Sequence, residues 1–527
     1  MAEWFKAAVL KTAVPQGTVG SNPTPSANPS EGSILIRRIT SNFRNGSPGM
    51  RWLAVALGLG LPILEVAPAT ALAASIATAS VNPSKLKTFV DSVITAEMTR
   101  DRIPGAGFVF VQNGRVVLQR GYGLAEVAHH RPVVPESTIW RVGSISKVFT
   151  ATAVMQLVDR GLVDLDAPVD RYVHRVTIPR TDARPVTVRD LLDHTSGFDE
   201  IRPGTQAATR DSVQPLDRFL QGKLVRVRPP GRTIAYSTYG VTLAGEMIEE
   251  MAGMPYEAFL KRNVWKPLGM TRTAVTVPPD GPYTARGYEI EGDSLVPQAW
   301  EWYHTIPASS VNATVADMAR FLEAHLGLGA AKGARILSER AAREMQRQQV
   351  TMHPSIPGYA LGFNEDFVGD LRVLEHGGNV AGFSALMVLI PSARAGFFVV
   401  NQFEGSKLRD NLKWALLERF FPAARSRRPV PSALPPAEQV RADRFAGRYV
   451  ALTSCWSCRP IRASGLLTVT ANADGTLQCL GGRWIWVDSL RFVRESGSGY
   501  IVFRADDSGA IRELFAGAYW GWQRIPE

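Results

Sequence analysis

The sequence predicts an α/β (α+β) domain, an antiparallel sheet flanked by helices with an all-helical lobe, followed by a small all-β domain. Three observations predict it. Within residues 75–421, strand patterns lie near both ends and a helix-rich stretch lies between them, so the sheet is built from both ends of the segment. Residues 422–438 carry five prolines, Pro422, Pro429, Pro431, Pro435 and Pro436, which is the composition of a linker. From residue 439 to 527 the pattern changes to short strands separated by turn residues.

In chain order, residues 1–49 are expected to be upstream translation rather than fold. Their Gly20-Ser21-Asn22-Pro23 is what the T-arm consensus of a tRNA gene encodes. Residues 50–73 read as an export signal, with basic Arg51, an apolar run from Trp52 to Leu64 and the small-residue site Ala71-Leu72-Ala73. At 1.5 Å per residue that run is too short to span a bilayer. The mature chain is therefore expected in the periplasm or outside the cell, with no transmembrane anchor.

From Lys85 to Met98 the apolar spacing predicts an amphipathic helix. Two strands follow, at residues 107–111 and 116–118, joined by Asn113-Gly114, the strongest short hairpin signal. The helix-rich part runs from Ser144 to about Leu326. Strands return at 371–374, 384–390 and 396–400, and a helix at 407–421 closes the domain. The last segment, with turns at Asp474-Gly475 and Gly481-Gly482, holds five of the 12 tryptophans and reads as a small β-barrel or β-sandwich.

Composition excludes several classes. Hydrophobic residues at 45% and charged residues at 20% exclude a disordered chain. The net charge of +11 comes from 48 arginines against 11 lysines, with no basic run of five, so a nucleic-acid tract is not expected. Cys455-x-x-Cys458 and Cys479 have no histidine after His376 to complete a zinc site. In an oxidising compartment they predict one disulfide and one remaining thiol.

Ser144-x-x-Lys147 opens a predicted helix, and the i, i+3 spacing puts both side chains on one face. A serine nucleophile needs a base within hydrogen-bond reach, and a desolvated lysine can serve where an arginine cannot. Lys147 is the only lysine between residues 88 and 222. Ser84-x-x-Lys87 matches the same pattern on an expected surface helix, so spacing alone does not choose. Tyr236-Ser237-Thr238 opens a second helix after Pro230-Gly231, and His376-Gly377-Gly378-Asn379 is placed at the end of a strand, where two glycines permit close backbone approach. There is no G-x-S-x-G, H-E-x-x-H or P-loop.

Taken in order, these motifs resemble the serine β-lactamase-related family: class C β-lactamases, D-alanyl-D-alanine carboxypeptidases, D-aminopeptidases and family VIII esterases. Ser144-x-x-Lys147, Leu191-Leu192-Asp193-His194-Thr195-Ser196-Gly197, Pro230-Gly231 with Tyr236-Ser237, Pro267-Leu268-Gly269-Met270 and His376-Gly377-Gly378 carry the resemblance across about residues 85–421. It implies a serine acyl-hydrolase with no metal or organic cofactor, acting on a small-molecule or peptide substrate, cell-wall peptides among them, and the signal segment makes it an exported one. Ser144 would be acylated, Lys147 and Tyr236 would share acid and base work, and the backbone N–H groups of Ser144 and Asn379 would bind the oxyanion. His376 would face the substrate in place of a lysine, with Gly377, Gly378 and Thr238 lining the same site. Thr238 stands where the family has an asparagine, which weighs against efficient β-lactam hydrolysis and toward a D-amino-acid peptide or an ester. A class C-type β-lactamase, a penicillin-binding carboxypeptidase and a non-catalytic peptidoglycan- or peptide-binding protein are the alternatives. Phe445-Ala446-Gly447-Arg448-Tyr449 is similar to the opening of lipocalin-like domains that follow such hydrolases.

Overall fold

The computed structural model describes residues 80–181, 184–200, 203–461, 465–518 and 520–526. The segments read as upstream translation and export signal, 1–49 and 50–73, lie outside them.

Helix α1 (Pro83–Arg100) starts where Asn82 Oδ1 accepts the Lys85 N–H at 3.0 Å and Pro83 occupies the first turn. It buries Leu86, Val90 and Ile94, one stripe at helical spacing. Strands β1 (Gly105–Gln112) and β2 (Arg115–Glu126) form the expected hairpin. Asn113 and Gly114 have φ of 52° and 71°, the paired left-handed values that a two-residue turn with the right twist requires.

The sheet has seven strands, completed by β3 (Arg131–Pro132), β4 (Asn364–Val368), β5 (Leu371–Val380), β6 (Phe383–Ile390) and β7 (Ala395–Asn401), in the order β4-β5-β6-β7-β1-β2-β3. The two ends of the segment meet where β1 pairs antiparallel with β7, Phe108 opposite Val399. All of β1 is buried, and its two faces serve two cores. Phe108 and Phe110 pack with Leu86, Val90 and Ile94 of α1 and with Leu412 and Leu416 of a closing helix (Leu408–Phe420). Val109 and Val111 join the core of the helical lobe on the opposite side. A strand with period-2 side chains needs helices on both faces to be buried this way.

The lobe is organised around α2 (Ser146–Asp159), α3 (Thr238–Ala252) and α4 (Val315–Leu326). It also carries short two-stranded ribbons, Ile139–Arg141 with Asn312–Thr314 among them. Strand β5 is longer than its sequence pattern suggests. It continues through His376, Gly377, Gly378 and Asn379, so these residues lie within a strand and not at its end.

The C-terminal part is a closed barrel of eight strands, running from Gly447–Ala451 to Gly521–Arg524, which pair with each other to close it. Closure removes the sheet edges. Phe445, Tyr449, Trp484, Phe492, Phe503 and Trp522 fill it. The turn placed at Gly481-Gly482 is Leu480-Gly481, with φ of 51° and 63°, and Gly482 already belongs to the next strand. Cys455 and Cys458 form the disulfide, and Cys479 is the buried thiol. Among the described residues no helix is long and apolar enough to cross a membrane.

One buried histidine on α4 gives a stability test. His325 on α4 is packed edge-on against Phe321 and Phe363, and burial pushes its pKa down to about 3. Between pH 6.5 and 3 the unfolded chain takes a proton that the folded chain refuses, so this group's contribution to folding is lost as pH falls. From pH 7 to pH 5 it should cost about 2 kcal/mol. Denaturant unfolding of wild type and His325→Gln at both pH values should show the variant losing less stability over that interval; equal losses would count against it.

Candidate active site

Ser144 lies in a single 3₁₀ turn, Gly143–Ile145, that leads into α2. The turn is locked by Ser146, whose Oγ donates to Gly143 O at 2.6 Å and accepts Val311 N–H at 2.9 Å. Ser144 itself is half-buried and reachable from solvent. Lys147, one turn on, is 1% exposed. Its Nζ lies 3.2 Å from Ser144 Oγ, donates to Ala308 O at 2.9 Å, and sits 4.7 Å from the centroid of the Tyr236 ring. The carbonyl dipole and the π face together offset part of the cost of taking an amine out of water. The other S-x-x-K match is on the surface of α1, where Lys87 pairs with Asp91.

Tyr236 immediately precedes α3, which Ser237 caps by accepting the Gly240 N–H at 3.1 Å. His194 supports this entry. Its carbonyl accepts the Ala235 N–H at 2.9 Å, its Nδ1 accepts the Ser237 N–H at 3.2 Å, and its ring lies 4.4 Å from that of Tyr236. A nitrogen that accepts an N–H carries no proton, and burial and the Lys147 charge hold His194 well below the usual histidine pKa. Thr238, half-buried on the first turn of α3, donates its N–H to Glu200 Oε2 at 2.7 Å.

The third side of the site is β5. At Gly378 a Cβ would stand 1.9 Å from Val142 O, so only glycine lets the strand lie against the turn that carries Ser144. At Gly143, where φ is +53°, a Cβ would stand 2.9 Å from Asn379 N. These two contacts bring the Ser144 and Asn379 backbones together. Arg409 holds the strand from behind, its Nη1 donating to Gly378 O at 3.1 Å, Asn379 Oδ1 at 2.8 Å and Ala385 O at 2.9 Å. Gly377 is half-buried between His376 and this crossing.

His376 is 2% exposed, and its ring centroid is 6.2 Å from that of Tyr236. Nδ1–H donates to Gly377 O at 2.7 Å, while Nε2 is buried with no hydrogen-bond partner among the described residues. Burial and then the Lys147 charge push its pKa down to about 3. It is a neutral group at neutral pH, and the cation that a lysine would bring to this position is missing. Among the described residues no group of three or more His, Cys, Asp or Glu could hold a metal ion.

The structure thus brings Ser144, Lys147, Tyr236, His376, Gly377, Gly378, Asn379 and Thr238 to one place. The sequence motifs give His194 no role in the site and do not single out Glu200 or Tyr359. The His194 signal was present in the Leu191–Gly197 motif. Tyr359, whose ring meets His194 at 4.8 Å, has no local pattern that would mark it.

Residues 90–419 match the family Beta-lactamase. Protein flp of Staphylococcus aureus (strain N315) is 24% identical over 318 residues, 59% of this chain and 62% of that protein. PbpX of Bacillus subtilis (strain 168) is 31% identical over 218 residues, 41% of this chain and 53% of that protein. The chain thus spans less than two thirds of the length of these curated relatives. The crystal structure of SurE with D-Leu has a TM-score of 0.58 at 23% identity, over 84% of this chain and 100% of that one. With the family match covering well over half of its length, and with the sheet, lobe and motif geometry described above, the chain belongs to the Beta-lactamase family.

Proposed function

We propose that the protein is an exported serine acyl-hydrolase working through an acyl-enzyme on Ser144, with a D-amino-acid peptide or a carboxylic ester as substrate. The observation that carries the proposal is the buried Lys147 amine, 3.2 Å from Ser144 Oγ and stacked on Tyr236. Ser144 Oγ attacks the substrate carbonyl as its proton passes to the Lys147–Tyr236 pair. The N–H groups of Ser144 and Asn379 receive the oxyanion, and their approach is what Gly378 and Gly143 permit. The pair returns the proton to the leaving alcohol or amine. Water then attacks the acyl-enzyme by the same route in reverse, releasing acid and free Ser144.

Two features favour an ester or D-peptide over a β-lactam. A neutral His376 supplies no full charge to hold a substrate carboxylate. Thr238 offers one short hydroxyl where an amide would reach further. SurE, a neighbour in fold, has been solved with D-Leu, which agrees with a D-configured substrate. Export rests on the segment at residues 50–73 and makes cell-wall peptides the accessible D-configured pool.

A fluorophosphonate should label Ser144 in wild type and leave Ser144→Ala unlabelled; equal labelling of the two would defeat the proposal. Lys147→Arg keeps the charge but cannot accept a proton, and hydrolysis of a p-nitrophenyl ester should drop by roughly a thousandfold or more. Gly378→Ala should reduce kcat by about a hundredfold or more, the scale of a lost oxyanion donor. Because His376 gains a proton only as pH falls toward about 3, His376→Gln should lower the rate while leaving the shape of the kcat/KM profile between pH 5 and 8 unchanged. Assayed side by side, a short-chain ester or a D-alanyl peptide should be turned over at least tenfold faster than nitrocefin.

A further inference from the structure

We infer that the C-terminal barrel is a working part of the active site: it holds Tyr236 in place, with Asp199 and Ser457 as positioning residues. The inference rests on the assignment of Tyr236 to acid and base work.

Asp199 is 1% exposed. Its carboxylate accepts three hydrogen bonds from one barrel segment: Trp456 N–H at 3.0 Å, Ser457 N–H at 2.8 Å and Ser457 O–H at 2.6 Å. That segment follows the first barrel strand and is pinched by the Cys455–Cys458 disulfide, so Ser457 sits inside a four-residue covalent loop. The Arg228 guanidinium, stacked on the Trp456 ring at 5.2 Å, supplies nearby positive charge. With the Glu200 N–H also donating to Asp199 Oδ1 at 3.1 Å, this buried carboxylate takes four donors and makes a strong and directional joint.

The next residue carries the joint to the cleft. Glu200 is also buried, and it accepts the Thr238 N–H at 2.7 Å, two residues beyond Tyr236. The backbone leading into this pair is pinned as well, since Asp199 N–H donates to Val225 O at 2.8 Å. One short stretch of chain thus grips the barrel with one carboxylate and the entry of α3 with the other.

The barrel reaches Tyr236 from its other side too. Arg504 of the barrel donates to Thr233 Oγ1 at 2.7 Å. Ala235 is buried against Leu452, Val502 and Phe515, and Ile234 against Ala518 and Tyr359. Tyr359 in turn meets His194, which stacks on Tyr236. Residues 233–235 are therefore fixed by barrel contacts and Thr238 by Glu200, the neighbour of the barrel-bound Asp199, and Tyr236 lies between. A merely appended domain would need none of these contacts within three residues of the tyrosine. Displacing a reacting group by about 1 Å costs of the order of a hundredfold in rate, so a joint of this kind has kinetic consequences.

The test uses the full chain with Asp199→Asn, Ser457→Ala and Ser457→Thr, a p-nitrophenyl ester as substrate, and hydrogen–deuterium exchange over residues 233–240. The inference expects Asp199→Asn to lower kcat about tenfold with KM within twofold, Ser457→Ala to lie between it and wild type, and Ser457→Thr, which restores the hydroxyl, to recover most of the rate. Exchange at the Thr238 amide should rise severalfold in Asp199→Asn. If kcat and exchange stay at wild-type values while only the melting temperature falls, the barrel is a stabilising appendage and the inference is overturned. It is equally overturned if KM rises with kcat unchanged, since the barrel then lines the substrate site rather than placing the tyrosine. The mild Ser457→Ala keeps the test valid should Asp199→Asn fail to fold. Failure of wild type to be labelled at Ser144 would overturn the hydrolase proposal instead, and the exchange measurement would still decide whether the barrel orders residues 233–240.

Discussion

The site is organised around one amine placed where water is scarce. Lys147 is almost wholly buried beside Ser144, and its surroundings answer to that fact. Ala308 offers a carbonyl and Tyr236 a π face, both of which suit an ammonium without fixing its proton as a carboxylate would. The two nearby imidazoles, His194 and His376, both have pKa values driven down by burial and by this amine. A second cation in the same small volume would be costly, so the histidines stay neutral and act through lone pairs and ring faces. The supporting architecture follows from the same need. A helix must deliver the lysine from one layer, a strand must press the backbone against the Ser144 turn from another, and glycine is required where they touch.

What could be read from the chain alone was what is encoded locally. The S-x-x-K spacing, the Asn113-Gly114 hairpin and the stripe of α1 are properties of a few consecutive residues, and each is found where its spacing puts it. Strand β5 is different. Its pattern fades at Glu375-His376-Gly377-Gly378, yet the strand continues, because Val142 and Ser144 lie against Gly378 and Arg409 takes up the Gly378 carbonyl. Those partners are remote in sequence. Strand β4, Asn-Glu-Asp-Phe-Val, was not expected at all. It is polar because Asp366 meets Lys413 from the closing helix, an ion pair that no periodicity announces. Three cysteines predict one bridge, but only the folded loop selects Cys455 with Cys458.

The same distinction separates the residues proposed to carry the chemistry from those that hold them. Ser144, Lys147 and Tyr236 stand in short motifs. Asp199, Glu200 and Tyr359 stand in none, and their importance comes from what they touch: a barrel loop, a helix entry, a histidine ring. Support of this kind can be drawn from whatever part of the chain lies nearest. Here some of it is drawn from a domain that begins after a proline-rich linker.

The pairing of β1 with β7 also sets an order of events during synthesis. Ala106 lies opposite Asn401, roughly 300 residues apart in the chain. A ribosome adds residues one at a time, so the first hairpin and the helix behind Ser144 emerge with the β7 edge of β1 unpaired. Contacts of such long range close late and slowly. During that interval the apolar strand is an exposed edge in need of shielding, and Ser144 has no β5 against it. Ser144 therefore exists as a residue long before the strand and loops that surround it are in place, and the site is assembled only when the chain is nearly whole.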